Sequence, residues 1–391
     1  MKLFIRKKFT LYALLATPLF AVAQSNTTTS GGGVNSIPTA VPFLNITPDS
    51  RSGAMGDAGV ALSPDVNANY WNPAKLAFLQ NNHELSASYS PWLRHLVPDV
   101  SLSYLSYAYK IDERNTLGAS LRYFNLGSIQ LIDDNQTDQG SYNPNEFALD
   151  VSFARKFGDN LSLGLQARYI YSNFSNGGFV AGSRQTNKAG NAVAAGVSLY
   201  YTKPYADNST FAFGANISNI GTKISYSDNG PSYFLPANLK LGVANTWGID
   251  DLNKFSLAFD VNKLLVPTPP IRNSDGDITS GHDDNVSVPA GIFQSFGDAP
   301  GGFSEELKEF TLSPGAEYMY NNLLAIRAGY FYENAQKGGR HYATTGFGVV
   351  YKDFRFDFSY LIASQQNSPL ANTLRFTLSA SFGGTTNADI R

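Results

Sequence analysis

Apolar and polar residues alternate one by one along most of this chain, which is the pattern of a β-strand with two different faces. Between residues 374 and 382 the even positions are apolar, whereas Arg375, Thr377, Ser379 and Ser381 occupy the odd ones. In a membrane barrel every second side chain faces lipid and the others face the lumen, so a period of two is required. The pattern predicts fourteen strands, at 83–90, 99–110, 115–127, 145–156, 161–173, 191–202, 210–219, 237–248, 254–264, 309–319, 323–332, 342–351, 354–363 and 372–382.

The connections between these segments support the strand count independently. Alternate connections are short, such as 111–115 and 352–353, and those between them are mostly longer, up to 265–308. Barrels of bacterial outer membranes have short periplasmic turns, long external loops and an even number of strands. We therefore predict an all-β fold, a 14-stranded antiparallel transmembrane β-barrel at 83–382, with both termini in the periplasm.

Two positions disturb the alternation. Pro314 lies inside the tenth predicted strand, where a proline removes a hydrogen-bond donor from the ladder. In the second strand the apolar phase shifts between Tyr104 and Leu105. We expect a β-bulge at each of these two places.

Composition agrees with a membrane barrel. Aromatic residues make up 13% of the chain and charged residues only 15%, against about 25% charged residues in ordinary soluble domains. Tyrosines recur in pairs near strand ends, for example Tyr107 with Tyr109 and Tyr330 with Tyr332. Such positions suit the aromatic girdles at the two membrane interfaces. Outer-membrane lipid is therefore an expected partner.

The first residues resemble a secretory signal. Residues 1–23 combine Lys2, Arg6, Lys7 and Lys8 with an apolar stretch and small residues, which predicts cleavage after Ala23. The mature chain then has 25 basic and 31 acidic residues, a balance that gives no reason to expect nucleic acid as a partner. Cysteine is absent from the sequence, which excludes disulfides, thiolate metal sites and a lipid-anchored N-terminus.

Between the signal and the first strand lie two segments of different character. Residues 24–40 are rich in Ser, Thr, Asn and Gly and are expected to be a flexible tether. Residues 41–82 contain turn formers, small residues and some apolar ones, and we expect them to fold into the lumen as a plug. Residues 383–391, after the last strand, are expected to be a periplasmic tail.

The plug segment also carries a family resemblance. The run SRSGAMGDAGVALSPDVNANYWNPAKLA, residues 50–77, resembles the opening of the FadL/toluene-transporter superfamily of fourteen-stranded barrels, where these elements form a hatch in the lumen. VPFLNITPDSRSGAMGDAGVA followed by NANYWNPAKLAF is similar to the PorV family, the barrel subunit of the type IX secretion system. Hatch residues are then Arg51, Gly53, Met55, Gly56, Asp57, Trp71, Asn72 and Pro73. We expect Trp71-Asn72-Pro73 to be a turn with an aromatic anchor, and direct contact with a ligand is the alternative.

That resemblance implies partners as well as a fold. The family associates with the large type IX translocon barrel and with a surface sortase complex, and it captures exported cargo proteins through their C-terminal signal domains. Long loops with apolar residues are the expected contact surface, although such loops can also pack on one another. The candidate contact residues are Trp92, Leu93, Leu96, Phe174, Phe179, Val180, Val266, Pro267, Ile292 and Phe293.

Motifs for catalysis are not found in the sequence. It has no phosphate-binding loop and no Gly-x-Ser-x-Gly elbow, and its four histidines are far apart. Asp275, Asp277, Asp283 and Asp284 could hold Ca²⁺ or simply form a solvated loop. We predict no enzymatic activity, no cofactor and no metal site. The charged residues predicted to face the lumen either line a conducting path or pair with each other and the plug: Arg168, Arg327, Arg355, Arg375, Asp260 and Asp357.

Two functions from different classes remain. One is a non-enzymatic shuttle and adaptor of protein secretion that is sealed by its hatch. The other is a FadL-type transporter that passes hydrophobic small molecules through the lumen and a lateral opening. The inner-wall positions are mostly Ser, Gly, Ala, Asn and charged residues, which favours the first function, because a transporter needs an apolar pocket.

Overall fold

Fourteen antiparallel strands form one closed barrel, which confirms the predicted fold class. The computed structural model describes residues 35–92, 99–132, 138–174, 188–228, 230–363 and 373–383. The barrel strands are β1 (His83–Pro91), β2 (Ser101–Lys110), β3 (Asn115–Asn125), β4 (Asn145–Phe157), β5 (Leu161–Asn173), β6 (Gly190–Pro204), β7 (Ser209–Gly221), β8 (Asn238–Gly248), β9 (Asn253–Leu264), β10 (Thr311–Tyr320), β11 (Leu324–Tyr332), β12 (His341–Tyr351), β13 (Phe354–Ala363) and β14 (Leu374–Phe382).

Each strand pairs with its sequence neighbours, and the first pairs with the last. β1 and β14 close the barrel from His83 opposite Phe382 to Tyr89 opposite Phe376. In β5 the apolar residues at odd positions, such as Leu163 and Leu165, are exposed on the outer wall, whereas its even positions are mostly buried inside. Closure leaves no unpaired strand edge, which is the condition for a sheet that crosses lipid.

Both predicted bulges are wrong. Pro314 pairs in continuous register with Phe259 of β9, and the β10–β11 ladder skips two positions there but resumes in the same register. A proline therefore costs the ladder a hydrogen bond without inserting a residue. The pairing of β2 with β1 and β3 is also continuous through Tyr104 and Leu105.

The physical reason for the misleading pattern in β2 is the filled lumen. Leu102 and Tyr104 face inward and are buried against residues of the N-terminal segment. An inner wall that packs on protein can be apolar, so the alternation loses its contrast there without any change of phase. Within the described barrel strands, a register shift lies between β6 and β7, at Ala195 and Val197.

Short turns lie at one end of the barrel and long connections at the other. The short-turn end has connections such as 111–114 and 352–353. At the long-loop end the described residues form three small hairpins, whose strands are Ile129–Ile132 with Asp138–Tyr142, Ile224–Ser225 with Ser232–Tyr233, and Ile271–Arg272 with Ile278–Ser280.

The connection from β9 to β10, residues 265–310, is the longest. It contains helix α3 (Val288–Gln294), helix α4 (Phe303–Glu306) and a 3₁₀ helix (Leu307–Glu309) after its hairpin. A further 3₁₀ helix, Ala335–Lys337, lies between β11 and β12. Among the described residues, no helix is both long and apolar enough to cross a membrane.

Residues 35–82, here called the N-terminal segment, precede the barrel. They form a 3₁₀ helix (Pro42–Asn45), helix α1 (Ser50–Ala54), helix α2 (Ala68–Trp71) and a 3₁₀ helix (Pro73–Phe78), and most of them are buried. Two prolines begin the 3₁₀ helices, where their missing N–H costs nothing. These short elements bury their side chains against the inner wall.

Candidate functional site

The N-terminal segment is hydrogen-bonded to the inner wall on several sides. Asn69 donates to Ser106 of β2 over 2.9 Å, and Asn72 donates to the carbonyl of Leu199 in β6 over 3.0 Å. On another side, the backbone N–H of Ser50 donates to Thr377 of β14 over 2.9 Å. Small polar inner-wall residues such as Ser106 and Thr377 are thus partners for side-chain and backbone groups of this segment.

Asp49 joins two separate parts of the segment. One of its carboxylate oxygens accepts the N–H of Ser52 at 2.9 Å and so caps helix α1, and the other accepts the indole N–H of Trp71 at 2.7 Å. Gly59 lies against the face of the indole, since a Cβ there would be 2.2 Å from Trp71 Cδ2. Trp71 is therefore an internal anchor in this structure, and its side chain is almost wholly enclosed.

Asn72 and Pro73 form the turn that follows. The side-chain oxygen of Asn72 accepts the N–H of Ala74 at 3.2 Å, and Pro73 begins the 3₁₀ helix. The amide of Asn72 also donates to the carbonyl of Val60 over 3.1 Å. The motif around Trp71 thus ties residues 60–74 together and to the wall.

Asp260, in the middle of β9, receives two backbone donors from the segment. The N–H groups of Gly59 and Val60 lie 2.7 and 2.9 Å from one oxygen of this carboxylate. The ammonium group of Lys75 donates to the carbonyl of the same Gly59 over 2.7 Å. Burial lowers the pKa of the Lys75 ammonium to about 8, although the carboxylate of Asp65 acts in the opposite direction.

Arg51 belongs to a chain of buried charges that crosses from the segment to the wall. It lies 2.8 Å from Asp65 and 3.4 Å from Glu317 of β10. Arg327 of β11 continues the chain, at 2.6 Å from Glu317 and 2.8 Å from Asp357. Arg355 lies 2.8 Å from Asp357. Most of the lumen-facing charges predicted from the sequence are thus paired with one another or with the segment.

The Gly53-Ala54-Met55-Gly56-Asp57 stretch makes the closest approach to the wall. Gly53 lies under the side chain of Arg375, and a Cβ at Gly56 would be 2.5 Å from the backbone nitrogen and oxygen of Tyr330. Gly56 has φ of 71°, a left-handed conformation that favours glycine. Asp57 accepts the hydroxyl of Tyr342 in β12. The residues singled out in this stretch all contact the wall.

Arg122 of β3 is a buried residue that the sequence analysis did not identify. Its guanidinium donates to the carbonyl of Leu44 over 2.7 Å and lies 4.4 Å from the ring centroid of Tyr70. It has no carboxylate partner among the described residues. It holds the first 3₁₀ helix of the segment against the wall. The alternation places Arg122 on the inner face, but its target on the segment could not be read from sequence.

Above the segment, toward the long-loop end, lies a cavity of about 350 Å³. Tyr70 and Trp71 line it from the segment and Trp92 from the first loop. Lys240, Arg340 and Arg375 are among its charged residues. We call it the lumen cavity.

The predicted contact residues in the loops occupy different environments. Phe293 on helix α3 is 80% exposed, and Phe174 is exposed and packs on Tyr226 at a ring distance of 5.8 Å. Trp92 and Ile292 are half-buried. Val266 and Pro267 lie in the interior, where Val266 packs with Ala237, Leu265 and the partly buried Ile37, Phe234 and Ile292. Leu93, Leu96, Phe179 and Val180 lie outside the described residues.

The connection 265–310 is held in place by buried ion pairs. Lys263, at the end of β9, lies 3.1 Å from Glu306 and 2.5 Å from Glu309. Lys337 lies 2.5 Å from Glu305 and 2.9 Å from Glu309. Anchored in this way, the connection exposes Phe303 (76%) and Leu307 (56%) as well as Phe293. The sequence analysis missed Phe303 and Leu307, although their apolar side chains between Gly302 and Lys308 were a visible signal.

No group of three or more His, Asp or Glu residues in the described part of the chain is arranged to hold a metal ion. The acidic side chains in the 271–280 hairpin and just after it lie near other side chains of the same loop. Asp277 lies near Asn273 in the hairpin turn, and Asp284 lies 2.8 Å from Arg272. His83 stacks on Tyr109 near the short-turn end, at 5.0 Å between ring centroids.

Comparison with known proteins finds solved structures of similar architecture. Among solved structures, the P. putida toluene transporter TodX is 15% identical, with 90% of this chain and 99% of that chain covered and a TM-score of 0.50. A TodX deltaS2S3 mutant, described as a monoaromatic hydrocarbon channel, is 16% identical over 86% of this chain and 98% of that chain, with a TM-score of 0.50. At such identities the likeness shows the fold alone. Among curated protein sequences no significant match is found.

The family is shown by a match of a different kind. The sequence profile described as "Type IX secretion system protein PorV" matches residues 30–271, which is more than half of the chain. The matched range includes the whole N-terminal segment and the first nine strands of the barrel. The chain is therefore an outer-membrane β-barrel with a FadL-like fold, and it belongs to the PorV family of the type IX secretion system.

Proposed function

We propose that this chain is a non-enzymatic adaptor of type IX secretion. It binds exported proteins through their C-terminal signal domain at the translocon barrel and passes them to the surface attachment complex that contains the sortase. In this proposal the signal peptide is cleaved after Ala23, both termini and the short turns face the periplasm, and the long loops face outward. The family match supports participation in this secretion system.

The filled lumen is the observation that carries the proposal. Residues 41–82 act as a hatch that seals the barrel, held by Asp260, Thr377 and other wall residues through its backbone. Unpairing those buried groups costs about 1–3 kcal/mol each. Passage of a ligand through the lumen requires these bonds to break, so the filled lumen favours a function at the surface of the barrel.

The long-loop end offers such a surface. Phe293, Phe303 and Leu307 are exposed on the connection 265–310, which is itself fixed by the ion pairs of Lys263 and Lys337. Exposed aromatic residues on a rigid support lose little conformational entropy on binding. We propose that this connection contributes to the contact with cargo or translocon, together with Phe174 and Trp92. The hydrophobic outer wall is in contact with outer-membrane lipid.

An affinity pull-down tests the proposal directly. The tagged full-length chain is purified from detergent-solubilised outer membranes, and the proteins that accompany it are identified by mass spectrometry. We expect a large translocon barrel and secreted proteins with C-terminal signal domains. If the tagged chain is recovered by itself under mild detergent, without the translocon barrel and without secreted proteins, the proposal is contradicted.

A double variant tests the surface. Phe293→Ser with Phe303→Ser removes two exposed rings without touching the buried ion pairs. We expect partner recovery to fall by about tenfold or more, because a central aromatic contact contributes at least 2 kcal/mol to binding. Tyr205→Ser, which removes an exposed ring from a short turn at the opposite end, is the matched control and should leave recovery unchanged.

The second function, transport of hydrophobic small molecules, requires the hatch to move. The hydroxyl oxygens of Ser50 and Thr377 lie 3.1 Å apart, and the chain has no cysteine of its own. A Ser50→Cys/Thr377→Cys variant can therefore be cross-linked to hold the hatch to β14. Unchanged partner recovery in the oxidised form supports the adaptor, whereas loss of small-molecule uptake with secretion intact supports the transporter.

A further inference from the structure

The N-terminal segment runs through the barrel from one end to the other. Its first residue, Asn35, donates its backbone N–H over 2.9 Å to the carbonyl of Gln336, which lies in the long-loop connection between β11 and β12. Near its other end, Phe78 packs on Tyr200 at 5.5 Å between ring centroids, and the Lys156 nitrogen lies 4.6 Å from the Phe78 centroid. Both of these wall residues belong to the short-turn halves of their strands. The segment therefore enters at the long-loop end and leaves at the short-turn end.

Residues 35–40, here called the strap, cross the long-loop end before the chain turns inward. Ser36 and Pro38 are exposed, whereas the residues beside and between them are half-buried, as expected for an extended chain with one face on protein. The turn into the lumen is at Val41, which is 1% exposed and has φ of 45°. A β-branched residue adopts this left-handed conformation only where its surroundings impose it.

The strap is hydrogen-bonded to three long-loop connections. The side-chain amide of Asn35 donates to the carbonyl of Pro269 over 3.3 Å and to the carboxylate of Glu305 over 3.0 Å, both in the longest connection. At the other end of the strap, the N–H of Ala40 donates over 2.9 Å to the carbonyl of Phe234, between β7 and β8. Together with the bond to the β11–β12 connection, these contacts join loops that are far apart in sequence.

Ile37 supplies the apolar contact of the strap. It packs against a buried cluster of residues from two long-loop connections, namely Ala237, Leu265 and Val266. Ile292 of helix α3 packs against the same cluster, and the next residue on that helix is the exposed Phe293. The strap therefore shares its apolar contact with the helix that carries an exposed aromatic side chain.

We propose that the N-terminal segment enters the barrel from the outer face, where the strap fixes the connection 265–310. This rests on the orientation in the proposed function, in which the long loops face outward. The parity of short and long connections places only the ends of the barrel strands, at His83 and Phe382, on the periplasmic side. It does not require a periplasmic N-terminus. An external N-terminus therefore replaces the periplasmic one in that function, while the C-terminus and the short turns keep their side.

Cysteine labelling in intact cells tests the external position of the strap. The chain has no cysteine of its own, so Ser36→Cys can be labelled selectively with a maleimide on polyethylene glycol, which does not cross the outer membrane. Ser274→Cys in the exposed 271–280 hairpin marks the long-loop end, and Ala206→Cys in an exposed short turn marks the opposite end. We expect the first two variants to be labelled in intact cells and Ala206→Cys only after the outer membrane is permeabilised.

Each other labelling pattern contradicts the proposal in a recognisable way. Protection of Ser36→Cys alone in intact cells shows that the strap is not external although the long loops are. Protection of both Ser36→Cys and Ser274→Cys, with Ala206→Cys accessible, shows that the barrel has the opposite orientation, so the orientation in the proposed function fails too. The adaptor function is judged by the pull-down, and the two results are therefore separable.

Limited proteolysis of the full-length chain in detergent tests whether the strap fixes the connection. Ile37→Asp places a carboxylate against the apolar cluster, so protease should cut between 265 and 310 on the order of tenfold faster. Ser36→Asp introduces the same charge at the exposed neighbouring position and should leave the cleavage rate unchanged. Heat-modifiable migration in gels shows that each barrel is folded. Equal cleavage rates for the two folded variants overturn the proposed role of the strap.

Asn35→Ala is a milder variant that serves if Ile37→Asp does not fold. It removes only the side-chain bonds to Pro269 and Glu305, and Glu305 keeps its ion pair with Lys337. We expect cleavage of the connection to become about threefold to tenfold faster, since a hydrogen bond of this kind contributes modestly. A folded Asn35→Ala chain that is cleaved at the rate of the unmodified chain contradicts the proposal.

Discussion

Trp71 and Asp49 are joined by a buried hydrogen bond of 2.7 Å between the indole N–H and a carboxylate oxygen. Because the other oxygen of Asp49 caps helix α1 through the N–H of Ser52, this one side chain connects the SRSGAMG stretch to the NYWNPA stretch. Burial, and then the negative charge of Asp65, raise the pKa of Asp49. The two sequence motifs therefore fold as one unit inside the barrel.

Trp71→Phe should loosen the hatch. Phenylalanine keeps much of the apolar volume but leaves one oxygen of Asp49 without a donor, which costs about 1–3 kcal/mol. We expect faster proteolysis within residues 35–82 and a lower denaturant midpoint in detergent. Trp247→Phe removes an indole from the outer wall, where the side chain is 40% exposed, and should change neither quantity. Equal behaviour of the two variants argues against the buried hydrogen bond as a stabilising contact.

Gly56→Ala should displace the hatch from the wall. A Cβ at this position would be 2.5 Å from the backbone of Tyr330, and the residue also has a left-handed φ of 71°. Gly276 has a similar φ of 89° but open space around it, so Gly276→Ala measures the conformational cost alone. That cost is about 1 kcal/mol.

We expect Gly56→Ala to lose at least about 2 kcal/mol more of unfolding free energy than Gly276→Ala, because the wall backbone cannot move aside. Denaturant unfolding followed by tryptophan fluorescence compares the two. If the variants are equally stable, the hatch does not press on β11 as described.

The barrel was predictable because lipid imposes a strict alternation on the outer wall. β5 shows this, with Leu163, Leu165 and Tyr169 exposed on alternate positions. The inner wall obeys no such rule, since its neighbours are residues distant in sequence. The sequence around Tyr104 therefore predicts a bulge, whereas in the folded chain Tyr104 packs in a buried cluster with Tyr70 and Trp71.

The candidate site was predictable only in part. Gly56 and Trp71 stood out by residue type in a compact motif, and both make close contacts in the hatch. Val266 looked like an exposed loop residue, but it packs with Ala237 and Leu265 in a cluster assembled from separate loops. Arg122 and Lys240 are single charges on alternating strands, and only the folded lumen shows what lies opposite them.

Lys75 gives the hatch a specific pH dependence. Its pKa in the folded chain is about 8, below the ordinary value of 10.5, so between these values the unfolded chain binds a proton that the folded chain does not. The free energy of unfolding therefore rises with pH across this window, by at most about 3 kcal/mol from this residue. Below pH 8 the contribution is constant.

Lys75→Met removes this dependence while keeping an unbranched side chain. The difference in unfolding free energy between the unmodified chain and Lys75→Met, measured from pH 7 to 10.5, should change in the direction that favours the unmodified chain at high pH. Lys188→Met, which replaces an exposed lysine, should show no such trend relative to the unmodified chain. A difference that is flat with pH shows that Lys75 is not constrained by the buried site.

Lys263→Met should release the connection 265–310 from the barrel. It leaves Glu306 and Glu309 buried near one another with only Lys337 to compensate Glu309, and breaking a buried pair costs about 3–5 kcal/mol. Limited proteolysis should then cut between 265 and 310 well before the barrel unfolds. Arg272→Met breaks an exposed pair with Asp284 in the same connection, which contributes at most about 1 kcal/mol, and should leave the cleavage rate nearly unchanged.

Because Phe293 and Phe303 depend on this support, Lys263→Met should also reduce partner recovery even though it alters no exposed aromatic residue. If the connection stays resistant to protease but partner recovery falls, Lys263 acts on binding by another route than support of this surface.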